Sequence, residues 1–239
     1  GAACVDCEAG KEPKEDRSGC NSCDSGYASD GTKCVACAPG TESNDDKSAC
    51  TPCMLKGDNM FSADGVRCKS CDEGKQPFTN RSDCLSCALV EPPGTVSPKG
   101  AACTMCGVGT EPNSARSACV GCEAGYASDG SECTQCPGGS EPSADKSFCD
   151  MCMTKKNSGN LYSAEGVKCI ACGAGKQPEP FMRNECQDCL LMGDAAVSPN
   201  GAACVDCEAG KEPKEDRSGC NSCDSGYASD GTKCVACAP

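Results

Sequence analysis

The sequence has no histidine and no tryptophan, and its 239 residues include only four Tyr and four Phe. Without histidine, the usual Ser-His-Asp and Cys-His catalytic arrangements are excluded. With so few large apolar side chains, the chain lacks the material for a conventional hydrophobic core. Basic residues are also in deficit. Against 35 Asp and Glu stand 22 Lys and Arg, for a formal net charge of −13. That sign repels nucleic-acid phosphates and anionic lipid surfaces. No run is long and apolar enough to span a membrane. No signal peptide is recognisable, so an export signal would lie outside these residues. Nor is there a glycine-rich phosphate loop. The expectation is a non-enzymatic chain with no cofactor, no catalytic or metal residues and no nucleic-acid partner.

What the sequence has in abundance is cysteine: 30 residues, beside 28 Gly and 15 Pro. This exceeds the ~8–10% that marks a disulfide scaffold, and cross-links replace a core in such modules. Every cysteine lies in a Cys-x-x-Cys pair, and the pairs begin at Cys4, Cys20, Cys34, Cys50 and so on to Cys234. Alternate gaps between pairs are 12 residues, with one of 13, whereas the others range from 10 to 16.

The near-constant gaps share Cys-x-x-Gly-[Lys/Thr/Ser]-[Glu/Gln]-Pro, then Ser two residues before the next Cys, as in CEAGKEPKEDRSGC. Ser43 replaces the Pro in one copy, and the 13-residue copy at 172–186 lacks the late Ser. The variable gaps close with Gly-x-x-Cys, from Gly31, Gly65, Gly100, Gly130, Gly166, Gly201 and Gly231. Asp-Gly and Asn-Gly are hairpin turn signals. Recurrent Pro and Gly exclude long helices. The expected fold class is therefore small and disulfide-rich: an elongated tandem array of short two-stranded β-ribbon and turn modules.

Longer repeats overlie this one. Residues 201–239 are identical to 1–39, a period of 200 that implies a longer tandem array, and a weaker period lies near 100. If a cross-linked segment resists length change and a segment between units tolerates it, the 12-residue gaps lie inside bonded units. The units are then 4–23, 34–53, 68–87, 103–122, 133–152, 169–189 and 204–223. Four cysteines per unit allow three connectivities. Bonding within each Cys-x-x-Cys would strain a short ring and is more typical of redox sites.

The favoured pattern is crossed: Cys4–Cys20 with Cys7–Cys23, Cys34–Cys50 with Cys37–Cys53, Cys68–Cys84 with Cys71–Cys87, and Cys103–Cys119 with Cys106–Cys122. It continues with Cys133–Cys149 and Cys136–Cys152, Cys169–Cys186 and Cys172–Cys189, and Cys204–Cys220 and Cys207–Cys223. A nested pattern, Cys4–Cys23 around Cys7–Cys20, is the competitor.

The run C-x-x-C-x-x-G-[T/K], alternating with G-Y-x-x-D-G-x-x-C, resembles the cysteine-rich repeats of growth-factor and ephrin receptor ectodomains. It resembles still more the CxxC-rich surface proteins of protists, namely the variant-specific surface proteins of Giardia and the immobilisation antigens of ciliates. The resemblance covers the full chain. It implies an extracellular or cell-surface location and a structural or antigenic role.

Sharper chemical readings are weaker. Paired C-x-x-C is also a Cys4 zinc signature, but seven consecutive sites in an acidic chain would be unusual. Thioredoxin-like chemistry needs a βαβ context that is absent. Asp45 and Asp46, and the cluster of Glu12, Glu15 and Asp16, read as solvated turns rather than an acid/base pair or a calcium site. Asn80-Arg81-Ser82 is an N-glycosylation sequon; Asn21-Ser22-Cys23 and Asn184-Glu185-Cys186 are rarer forms. Tyr27, Phe61, Tyr126, Tyr162 and Tyr227 read as packing residues. The leading expectation is a stiff rod that self-associates into a fibre or coat, bearing glycans. The alternatives are a ligand-binding or adhesive ectodomain and a tandem zinc protein.

Overall fold

A computed structural model describes residues 6–238. Among them, every sheet is a two-stranded antiparallel ribbon, and consecutive ribbons follow one another without crossover. Ribbons of two kinds alternate. In the long kind, strand β1 (Lys11–Pro13) pairs with β2 (Cys20–Ser22), placing Pro13 opposite Cys20. In the short kind, β3 (Tyr27–Ala28) pairs with β4 (Val35–Ala36). Contacts divide the chain into two compact units, 1–107 with 111–120 and 108–110 with 121–239. The same two ribbons build both.

The long ribbons occupy the near-constant gaps. Proline ends their first strand in every copy but one, where Ser43 stands, because it has no N–H to continue the ladder. The turn that follows is fixed by an Asx motif. In the first ribbon the Asp16 carboxylate accepts from the Ser18 N–H at 2.9 Å and the Ser18 hydroxyl at 2.6 Å. The residue between them, Arg17, is left-handed with φ 56°. A basic residue stands in that strained position in every long ribbon: Lys47, Arg81, Arg116, Lys146, Arg183 and Arg217.

The short ribbons absorb most of the length variation, chiefly ahead of their first strand; one long ribbon, Cys172–Cys186, is a residue longer than the rest. The first strand starts at Tyr27, four positions after Cys23, but at Met60, seven after Cys53, and at Leu161, nine after Cys152. The extra residues form 3₁₀ turns such as Cys53–Leu55, Cys87–Leu89, Cys152–Thr154 and Cys189–Leu191. Helical structure among the described residues is limited to such short turns.

The interior is sulfur rather than hydrocarbon. The most buried apolar residues are cysteines, with Val96, Val197 and a few alanines. Meanwhile Leu55, Leu89 and Leu191 on the 3₁₀ turns are exposed. Tyr27 and Tyr227, read as packing residues, are also exposed, at 42% and 50%.

Candidate functional site: the disulfide ladder

Among the described residues the cysteines form fourteen disulfides, in a pattern that corrects the crossed expectation. The bonds are Cys7–Cys20, Cys23–Cys34, Cys37–Cys50, Cys53–Cys68, Cys71–Cys84, Cys87–Cys103 and Cys106–Cys119. The second half repeats this with Cys122–Cys133, Cys136–Cys149, Cys152–Cys169, Cys172–Cys186, Cys189–Cys204, Cys207–Cys220 and Cys223–Cys234.

Each Cys-x-x-Cys from Cys20–Cys23 to Cys220–Cys223 is thus divided. Its first cysteine closes the ribbon behind it, and its second opens the ribbon ahead. None of the expected pairs occurs. Cys4 lies outside the described residues, but its expected partner Cys20 is bonded to Cys7, and Cys23 is bonded forward to Cys34 rather than back to Cys7. The same replacement removes Cys34–Cys50, Cys37–Cys53, Cys68–Cys84, Cys71–Cys87, Cys103–Cys119, Cys106–Cys122 and Cys133–Cys149. It equally removes Cys136–Cys152, Cys169–Cys186, Cys172–Cys189, Cys204–Cys220 and Cys207–Cys223. The nested alternative is half right: its inner bond, Cys7–Cys20, occurs and recurs in the equivalent units, but its outer bond, Cys4–Cys23, does not, because Cys23 is bonded to Cys34.

The physical reason lies in the short ribbons. A bridge fixes the distance between its ends, not the length of the loop it closes. Cα–Cα separations stay between 5.5 and 5.9 Å while the enclosed separation ranges from 11 to 17 residues. The 3₁₀ turn takes up the difference. Length variation was therefore compatible with a bridge, and the constant 12-residue gap marked one ribbon rather than a two-bridge knot.

In most pairs the two cysteines also differ in burial. Second cysteines such as Cys53, Cys87, Cys152 and Cys189 are 0% exposed, whereas first cysteines such as Cys50 and Cys119 are exposed. Cys237 is a free, exposed thiol. The disulfide-bonded sulfurs are not thiolates and are not available as a Cys4 zinc set, and no cluster of three or more metal-binding side chains occurs among the described residues.

Three recurring side chains bind each ribbon to its neighbours. The Glu or Gln of the Gly-x-[Glu/Gln]-Pro motif accepts the N–H of the cysteine that closes the following short ribbon. Glu12 accepts from Cys34 at 2.9 Å, Gln76 from Cys103 at 2.8 Å, and Gln177 from Cys204 at 2.7 Å. Both residue types offer an Oε acceptor at the same reach, which is why they interchange. Glu141 does the same for Cys169 and also pairs with Lys155 at 2.5 Å. Burial alone would raise the Glu141 pKa, but the Lys155 and Cys169 hydrogen bonds outweigh it and hold the carboxyl below its usual value.

Second, a buried serine in each short ribbon except the last joins three ribbons. The Ser29 carbonyl accepts from Gly10 N–H at 2.7 Å, its own N–H donates to the Lys47 carbonyl at 2.9 Å, and its hydroxyl donates to the Lys11 carbonyl at 2.8 Å. Ser62, Ser97, Ser128, Ser163 and Ser198 repeat the two backbone bonds. Third, the left-handed basic residue reaches back to the preceding short ribbon. Arg217 Nη1 donates to the carbonyls of Gly193, Asp194 and Ala196 at 3.1, 2.8 and 3.1 Å. Lys47 and Lys146 reach the carbonyls of Cys23 and Cys122.

The acidic residues singled out in the sequence are thereby placed. Glu12 and Asp16 serve backbone hydrogen bonds, Asp46 caps its turn through Ser48, and none of them converges on a shared site. Sequence reasoning missed the serine and the basic residue. Their signals were present as a Ser two or three positions before each Gly-x-x-Cys and as [Asp/Asn]-[Lys/Arg]-Ser in most of the long turns.

The irregular copy departs from this scheme. Its turn lacks the Asp and Ser, and Glu179 instead accepts from the N–H groups of Phe181 and Arg183 at 3.1 and 3.2 Å and from that of Met182. That bonding, led by Met182, holds the Glu179 carboxyl below its usual pKa. Phe181, 83% exposed, and Met182 line an apolar cavity of about 220 Å³ with Met151 and Met153.

The chain matches no protein-family model and no curated protein. The fold and its cross-links nevertheless define a class: a disulfide-rich protein of tandem two-stranded ribbons. Bonding this dense is typical of secreted and extracellular proteins. No helix among the described residues is long and apolar enough to cross a membrane.

Proposed function

We propose that this is a non-enzymatic structural protein of the cell exterior: a stiff, disulfide-stabilised rod that self-associates in a surface coat, appendage or filament. The observation that carries the reading is the division of every described bridge between successive Cys-x-x-Cys pairs. Each ribbon is closed covalently and is separated from the next by two residues. Hydrogen bonds from the Glu/Gln, Ser and basic residues join it to its neighbours along the chain. Nearest-neighbour bonding of this kind makes a repeat array quasi-one-dimensional. A bridge closing about 15 residues contributes on the order of 3 kcal/mol in the chain-entropy model, which offsets the missing apolar core. The identity of 201–239 with 1–39 presents the same surface at a fixed interval, as helical self-assembly requires. Electron microscopy of the native material tests this reading. Filaments or a layered coat are expected, whereas a monodisperse globular particle would overturn it.

One observation favours a second reading, a receptor-type or adhesive ectodomain. The cavity of Met151, Met153, Phe181 and Met182 occurs where the repeat is broken, as a dedicated binding site would. The Arg183 Nε beside it is buried without a hydrogen-bond partner. Phe181→Ser would abolish cell or ligand attachment on this reading and leave a rod's assembly intact.

A further inference from the structure

We propose that Asn80 is an N-glycosylation site bearing an asparagine-linked oligosaccharide, an inference that rests on the extracellular reading above. Three features of the fold support it. Asn80 lies exposed in the turn between the strands Lys75–Pro77 and Cys84–Ser86. Its Oδ1 accepts from the Ser82 N–H at 3.1 Å and the Ser82 hydroxyl at 2.8 Å. Two donors on one side fix which amide atom faces them. The oxygen therefore faces Ser82, and Nδ2, on the other side of this exposed amide, has no hydrogen bond among the described residues.

The acceptor nitrogen is also one the fold does not need. Asp16, Asp46 and Asp145 close the same turn through a carboxylate oxygen and a serine hydroxyl. At this position the turn requires an oxygen only. A glycan on Nδ2 leaves that carbonyl in place, so both turn bonds survive the modification. The middle residue of the sequon is drawn out of the way, because the Arg81 guanidinium donates to the carbonyls of Gly57, Asp58 and Met60 at 3.1, 2.8 and 3.2 Å. The rarer sequons differ on this point. The third residues Cys23 and Cys186 are bonded to Cys34 and Cys172, so neither offers a free thiol in the folded chain.

The chemistry is a group transfer from a phosphate-activated oligosaccharide donor. Nδ2 forms a bond to the anomeric carbon, the carbon–oxygen bond to phosphate breaks, and the phosphate leaves with the bonding pair. One Nδ2 proton passes to a base of the host transferase.

The test uses the full chain isolated from its own cells. After reduction, an endoprotease cutting at lysine releases residues 76–99. Treatment with a peptide N-glycosidase in ¹⁸O water should convert Asn80 to ¹⁸O-labelled Asp and collapse a heavy glycopeptide to one mass. In the same cells, Ser82→Ala should lose the glycan and Ser82→Thr should keep it. An unmodified Asn80 in a chain with its disulfides intact would overturn the site and leave the extracellular reading standing. A native chain recovered with reduced cysteines would overturn both.

Discussion

Arg217 offers the sharpest test of how neighbouring ribbons are held. Its φ of 56° is a conformation that costs a non-glycine residue about 1–2 kcal/mol, so the side chain must offset that cost. It does so through three carbonyl bonds to the ribbon behind, while the Arg217 carbonyl accepts from the Ser198 N–H at 2.9 Å. Hydrogen bonds from a charged donor contribute about 1.5–3 kcal/mol. Arg217→Ala removes them and keeps the strain, so local opening should become easier by that amount. At about 1.4 kcal/mol per tenfold, amide exchange at Ser198 should accelerate on the order of 10- to 100-fold. Arg217→Gly loses the same bonds but relieves the strain, and should recover roughly 1 kcal/mol, or about fivefold. Lys233→Ala, which removes an exposed charge of the same sign, should change nothing. Ser198 exchange within twofold of wild type in Arg217→Ala would refute the stitching argument. So would Arg217→Gly being worse than Arg217→Ala.

Three further outcomes follow from the same geometry. Gly40 has φ 85°, and a Cβ there would fall on the Asn80 carbonyl oxygen; Gly40→Ala should sharply reduce the yield of fully oxidised protein on chromatography. Gly173→Ala, in open space, should fold normally. The Asp145 carboxyl is held at about 2 by the Ser147 hydroxyl, then the Ser143 hydroxyl and the Ser147 N–H. Its folded pKa is depressed, so its contribution is present above the unfolded value near 3.9 and is lost as pH falls toward 2. A nuclear magnetic resonance titration midpoint near 2 is expected, and one near 4 would contradict the turn. Finally, dithiothreitol should abolish the ribbon circular-dichroism signal and a strong chelator should not, because the disulfides rather than bound metal replace the core.

The ribbon class was legible because its signals are local. Gly-x-x-Cys turns, proline stops and the absence of helix-length segments each act within a few residues. The pairing was not legible, because it depends on what a variable segment does with its extra length. Residues 53–60 hide three more positions than 23–27 in a 3₁₀ turn without moving the bridge, and no composition rule announces that. The Glu and Gln of the motif were visible as a pattern, yet their partners lie 22 to 28 residues away. Arg17 and its equivalents were passed over, since their left-handed backbone shows only in three dimensions. Ser29 was passed over too. Burying it among three ribbons follows from how the ribbons stack, which is a long-range property.

Disulfide mapping of the oxidised chain decides the central claim. Proteolysis without reduction, followed by mass spectrometry, should find Cys7 joined to Cys20, Cys23 to Cys34 and Cys37 to Cys50. Every Cys-x-x-Cys would then be split between the ribbon behind and the ribbon ahead. Finding Cys7 joined to Cys23 and Cys37 to Cys53 would contradict it and restore the self-contained two-bridge knot.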